Sequence, residues 1–260
     1  MPRFAANLSM LWPELDVYER FHAAAEAGFS RVEILFVHVL DRERIARLVK
    51  DLGLELVLFD PAPGDWEAGE RGTGCIPGRQ DEFAAAVGDA LQTAQRFGTH
   101  RLNALVGIQP PGVSDLEAQT TLVHNLRELA GPAQEADVML LVENINTVDM
   151  PGYFVSTAER AAEIVNAVDR PNVRLQLDQY HVGMMGGDAR DMLRRYGDLV
   201  EHTQIADVPG RHEPGTGQQP IHEFLAELDA RGYAGSVGLE YRPSAATDAA
   251  LAWLPRDRRG

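Results

Sequence analysis

Four side chains whose oxygens could bind a hard cation or carry a proton each follow a short apolar run: Glu143 in LLVE, Asp178 in LQLD, Gln204 in HTQIA and Glu240 in GLEY. Taken singly, such a residue is more often a helix cap or a surface charge. On four successive apolar runs the pattern reads differently. A buried carboxylate without a partner is costly or takes up a proton, so three converging carboxylates need a cation or a shared proton. Carboxylate and amide oxygens suit Mg2+ or Mn2+, whereas zinc would favour His or Cys. Three anionic ligands and one neutral amide leave an ion-bound cluster near a single negative charge, with positions open for water or substrate oxygens.

Those four residues can meet only if the ends of their runs meet. Eight candidate strands alternate with amphipathic segments: residues 3–8, 31–36, 54–59, 101–106, 138–143, 173–178, 200–206 and 236–241. Several of the intervening segments stop at a glycine (Gly28, Gly53, Gly98, Gly232), as helices do before a left-handed turn. Eight such units predict an α/β fold, a (β/α)8 TIM barrel, in one domain over residues 1–260. Barrel enzymes carry their chemistry where the strands end, which is where the four residues fall. The Gly- and Pro-rich stretch 60–79 does not read as a helix and is expected to be an active-site loop.

Around this centre stand further candidates. His181, three residues after Asp178, can point into the same pocket as a hydrogen-bond donor or proton relay, or cap a loop carbonyl. Arg211 in PGRHEP can pair bidentately with a substrate carboxylate, with His212 beside it. Asn7 and Glu33 either line the mouth or serve backbone hydrogen bonds. His202 shares the inward parity of Gln204 two residues deeper, where a core or supporting role is expected. Trp12 and Trp66 either wall the pocket or pack.

The net charge of -15, from 39 acidic against 24 basic residues, argues against nucleic acid as a partner. A single cysteine, Cys75, excludes an intrachain disulfide and multi-cysteine metal sites. No run approaches the roughly 18 apolar residues of a membrane span, and the N-terminus lacks the apolar core of a signal peptide. A cytoplasmic protein without a membrane partner is expected; a homo-oligomer is compatible with the sequence.

The segments PRFAANLSM, APGDWEAGERG with PGR, LLVEN, LQLDQYH, HTQIADVPGRHEP and GLEYRP resemble the xylose-isomerase-like barrels, and within them the hydroxypyruvate isomerases. The resemblance implies a divalent metal held by Glu143, Asp178, Gln204 and Glu240, with Glu143 and Glu240 as the proton-transfer pair. It implies isomerisation of a 2-oxo acid, hydroxypyruvate to 2-hydroxy-3-oxopropanoate, through an enediolate. Related sugar epimerases usually carry histidine where this chain has Gln204, so the glutamine favours the hydroxypyruvate isomerase branch. Isomerases of longer 2-oxo acids such as 2-oxo-tetronate share these motifs, and a ketose 3-epimerase is the further alternative.

Overall fold

In the computed structural model, which describes residues 2–260, the eight apolar runs pair in chain order as one closed parallel barrel. The strands are β1 (Arg3–Asn7), β2 (Arg31–Phe36), β3 (Glu55–Asp60), β4 (Arg101–Asn103), β5 (Met139–Glu143), β6 (Val173–Asp178), β7 (Val200–Ile205) and β8 (Ser236–Leu239). β8 pairs back onto β1, with Leu239 opposite Ala6, so no edge strand is left open. Around them run α1 (Glu19–Glu26), α2 (Arg42–Asp51), α3 (Gln80–Phe97), α4 (Asp115–Glu135), α5 (Ala158–Val168), α6 (Gln179–Met184), α7 (Ala189–Tyr196), α8 (Ile221–Ala230) and α9 (Thr247–Ala250).

Local chemistry accounts for most helix ends. Asp41 accepts the Arg44 N–H at the head of α2, and Thr157 accepts that of Arg160 at the head of α5. Ser114 and Glu117 form a reciprocal capping box, which starts α4 at Asp115. Gly98 closes α3 in the left-handed region at φ 68°, where a β-carbon would be strained.

Two features depart from the expected pattern. β4 is only three residues long because the chain beyond it is stitched to the loop after β3: Gly72 pairs antiparallel with Val106, and Cys75 N–H donates to the Val106 carbonyl at 2.8 Å. A β-carbon at Gly72 would lie 2.3 Å from the Leu105 carbonyl oxygen, so glycine is what permits this approach. Between β6 and β7 the single expected helix is replaced by two short ones, α6 directly after β6 and then α7, and α7 buries Ala189, Met192 and Leu193.

A small apolar cluster of Ala5, Val57, Leu58 and Leu141 is separate from the main core, to which the barrel's helices contribute. Strand periodicity then sets the next inward positions two residues on, from Leu141 to Glu143 and from Gln176 to Asp178. Glu33 is the hub of the polar layer: it accepts from Asn7 Nδ2 and from Gln204 Nε2, each at 2.9 Å, and lies 2.9 Å from His202 Nε2. Cys75 is buried, and burial pushes its thiol up to about 12, which leaves it unreactive. Among the described residues no helix is long and apolar enough to cross a membrane.

Candidate active site

Glu143 and Asp178 are the last residues of β5 and β6, Gln204 stands one residue before the end of β7, and Glu240 directly follows β8. Asp178 is in register with Gln204, and Gln204 with Gly238 of β8. All four are buried, each 5% exposed or less. Asp178, Glu143 and His181 bring ligand atoms within 4.8 Å of one another. Asp178 Oδ1 accepts the N–H groups of Tyr180 and His181 at the head of α6, whereas its buried Oδ2 has no hydrogen-bond partner. Glu143 Oε2 accepts from Asn103 Nδ2 at 2.6 Å. Glu240 Oε1 lies 3.0 Å from Arg211 Nη2, which is 3.9 Å from Asp178 Oδ2. Glu143, Glu240, His181 and Arg211 line one cavity of about 190 Å³.

Burial dominates the electrostatics. It pushes Glu240 up to about 8, aided by Asp178 and Glu33 and opposed by Arg211. It raises Glu143 well above the usual carboxylate range, with Glu240, Asp178 and Asp60 adding to the effect. Asp178 is pushed up to about 6, held back by Arg211 and by the two N–H groups it accepts. Three buried carboxylates thus face a single guanidinium, and they need protons or a cation. A divalent ion fits this donor set: the orphaned Asp178 Oδ2 is an available oxygen, and the surrounding oxygens match a hard cation.

Hydrogen bonding assigns the tautomer of His181. Asn146 Oδ1 accepts the N–H groups of Val148 and Asp149 at 2.9 and 2.8 Å, which turns its Nδ2 towards His181. That Nδ2 lies 2.6 Å from His181 Nδ1, and the Asn146 backbone N–H also donates to the same atom. Two donors on Nδ1 make it an acceptor, so the proton sits on Nε2, 3.4 Å from Asp178 Oδ2. Burial and Arg211 hold this imidazole well below its usual range, so it is neutral and offers the site a donor.

Residues 21–256 match the family model described as xylose isomerase-like TIM barrel. The chain belongs to the xylose isomerase-like TIM barrel family. It is similar to the hydroxypyruvate isomerase of Escherichia coli (strain K12), at 39% identity over 254 residues covering 98% of each chain. It is equally similar to the 2-oxo-tetronate isomerase of Cupriavidus necator, at 40% identity with the same coverage. Among solved structures, one described as AP endonuclease, family 2, from Brucella melitensis superimposes with a TM-score of 0.94 at 43% identity, covering 97% of this chain and 98% of that one.

In this xylose isomerase-like barrel the remaining sequence candidates take distinct places. Gln204 donates to Glu33 and accepts from Gln176 Nε2 at 2.7 Å, which leaves its carbonyl oxygen a second lone pair. Asn7 donates to Glu33 and accepts the Ser9 N–H. Arg211 has a positive φ of 57°, and its backbone is tied between the Asp207 carbonyl and the Arg242 N–H. His212 Nδ1 lies 2.7 Å from the Arg242 carbonyl. Trp66 lines the cavity, whereas Trp12 packs edge-on against Phe29.

The family barrel also brings in cavity residues that the sequence reading passed over. Asp60 closes β3 as Asp178 closes β6, and LFD beside LQLD was the available signal. Burial holds its carboxyl well above the ordinary range, with Glu240 and Glu33 adding to the shift. Arg71 and Arg242 line the cavity as well; both lie inside the segments ERG and YRP, where nothing in residue type marks them.

Proposed function

We propose that the chain is an isomerase of a short 2-oxo acid, interconverting hydroxypyruvate and 2-hydroxy-3-oxopropanoate by proton transfer between Glu143 and Glu240. The observation that carries this reading is the pair of buried glutamates, one ending β5 and one directly following β8, that face one small cavity. A general base or acid must reach the proton it moves, and two carboxylates on one small cavity can reach neighbouring carbons of a short substrate. One glutamate takes the proton from C3 to give an enediolate and the other returns a proton at C2, while the hydroxyl hydrogen passes from O3 to O2. The roles reverse in the opposite direction.

Mg2+ or Mn2+ held by Glu143, Asp178, Gln204 and Glu240 would polarise the substrate carbonyl and stabilise negative charge on oxygen. His181 Nε2–H offers a neutral hydrogen-bond donor to a substrate oxygen. Arg211, set between Glu240 and Asp178, offsets the local negative charge and orients Glu240. Loop 60–79 serves as an active-site loop, since Trp66 and Arg71 reach the cavity from it. The cavity is smaller than the roughly 300–1,000 Å³ of pockets for drug-sized ligands, which suits a three- or four-carbon acid. The net charge of -15 disfavours a nucleic-acid substrate, so the endonuclease description of the Brucella structure is not carried over.

A one-carbon-longer 2-oxo-tetronate is the second reading, supported by the Cupriavidus relative. Turnover of hydroxypyruvate, a 2-oxo-tetronate and a ketohexose by the protein loaded with Mg2+ or Mn2+ tests both. The highest kcat/KM is expected for hydroxypyruvate; the highest for 2-oxo-tetronate would select the second reading, and turnover of the ketohexose alone would overturn both.

A further inference from the structure

The proposed site leaves one charge unaccounted for. Glu143, Asp178 and Glu240 carry three negative charges when ionised, against one positive charge on Arg211. A divalent ion brings that cluster to neutrality and leaves no excess positive charge for a substrate carboxylate. Arg211 is already engaged: Nη2 pairs with Glu240, Nε donates to the Glu240 carbonyl at 3.3 Å, and the guanidinium carbon lies 4.7 Å from the Tyr180 ring centre.

Two other guanidinium groups reach the same cavity without an acidic partner. Arg71 stacks on Trp66, its guanidinium carbon 3.6 Å from the ring centre. Its Nη1 donates to the backbone carbonyls of Trp66 and Glu70 at 3.1 and 2.7 Å, so one edge is anchored and Nε and Nη2 make no further hydrogen bond among the described residues. Arg242 is exposed, and its side chain has no hydrogen bond or ion pair among the described residues. The loop that presents Arg71 is braced from within. Glu70 pairs with Arg79 and accepts the Asp65 N–H, and Asp65 accepts the Ala68 N–H at 3.0 Å. At the far end of the loop, Gly72 N–H donates to the Pro63 carbonyl at 2.8 Å. A planar fork fixed by stacking and by one anchored edge loses little freedom when it binds a carboxylate.

We propose that Arg71, stacked on Trp66 and assisted by Arg242 on the same cavity, holds the substrate carboxylate and makes the site selective for acids over neutral ketoses. This assignment rests on the 2-oxo acid reading above and adds to it the group that reads the acid. Arg71 is the specificity residue; Arg242 contributes less because water screens an exposed charge.

The test compares wild type with Arg71→Gln, Arg71→Lys and Arg242→Gln, all loaded with Mg2+. D-glycerate, a non-isomerising acid, and dihydroxyacetone, a neutral analogue, are titrated and followed by ligand-observed NMR, alongside KM and kcat for hydroxypyruvate. A charge-assisted hydrogen-bonded contact is worth enough for about a 10- to 100-fold loss on removal. Arg71→Gln is therefore expected to raise the glycerate Kd and the hydroxypyruvate KM by that factor, leaving kcat and dihydroxyacetone binding within about threefold. Arg71→Lys recovers part of the loss, and Arg242→Gln gives a smaller one. Unchanged glycerate binding in Arg71→Gln, or equal weakening of glycerate and dihydroxyacetone, would overturn the assignment. A wild type that turns over no 2-oxo acid, yet loses glycerate selectively in Arg71→Gln, would overturn the isomerase reading and keep the carboxylate site.

Discussion

Asn146 Nδ2 lies 2.6 Å from His181 Nδ1, and this contact fixes which nitrogen of the imidazole faces the buried carboxylates. Because Asn146 Oδ1 is occupied by two backbone N–H groups, the amide cannot turn over without losing both bonds. His181 is therefore presented as a neutral Nε2–H donor, and nitrogen NMR of the imidazole is expected to show a protonated Nε2 and an unprotonated Nδ1. Asn146→Asp places an acceptor opposite Nδ1 and is expected to shift the proton to that nitrogen, lowering kcat by at least about tenfold. An imidazole protonated on Nδ1 in the wild type would remove this donor from the site.

The buried carboxylates make metal-free protein sensitive to pH. Asp178 and Glu240 are raised in the folded chain from 3.8 and 4.5 to about 6 and about 8. Across that window the folded state binds more protons than the unfolded one, so stability is full below the ordinary carboxylate range and falls as pH rises towards 8. Thermal unfolding of metal-free protein between pH 5 and pH 8 is expected to show a falling Tm, flattened in Glu240→Gln. Added Mg2+ or Mn2+ binds the ionised carboxylates, so the Tm gained on loading grows over the same window. A Tm that rises with pH in metal-free protein would contradict this picture.

Gly238 makes room for the Glu33 hub. A β-carbon at this position would sit 2.3 Å from Glu33 Oε1 and 2.4 Å from Oε2, closer than any real contact. Gly238→Ala must displace a carboxylate that Asn7, His202 and Gln204 all contact. Overpacking of a buried site costs about 1–3 kcal/mol, and broken hydrogen bonds add to it. A Tm lower by several degrees and weaker divalent-ion binding are expected, because Gln204 loses the carboxylate that orients its amide. An unaltered Tm would show that Glu33 has space the structure does not give it.

Much of the barrel was legible because its signals are local and periodic. Eight apolar runs and four helix-ending glycines, all with positive φ, carried the architecture. The inward carboxylates could be found because each ends its run. Asp60 escaped although it ends β3 in the same way, since the strand was read one residue short. Arg71 and Arg242 escaped for a different reason: an arginine in a loop has no period, and only folding shows that one stacks on Trp66 beside the cavity. The tautomer of His181 depends on Asn146, 35 residues earlier in the chain, and no local pattern encodes it.

Glu143 and Glu240 as the proton-transfer pair is the claim on which the rest depends, and solvent deuterium tests it most directly. Hydroxypyruvate turned over in D2O by the metal-loaded wild type is expected to give 2-hydroxy-3-oxopropanoate labelled at C2, whereas Glu143→Gln and Glu240→Gln each lose isomerisation and label incorporation by at least about 100-fold. Near-normal labelling by either variant, or wild-type turnover with no deuterium incorporated, would contradict the account.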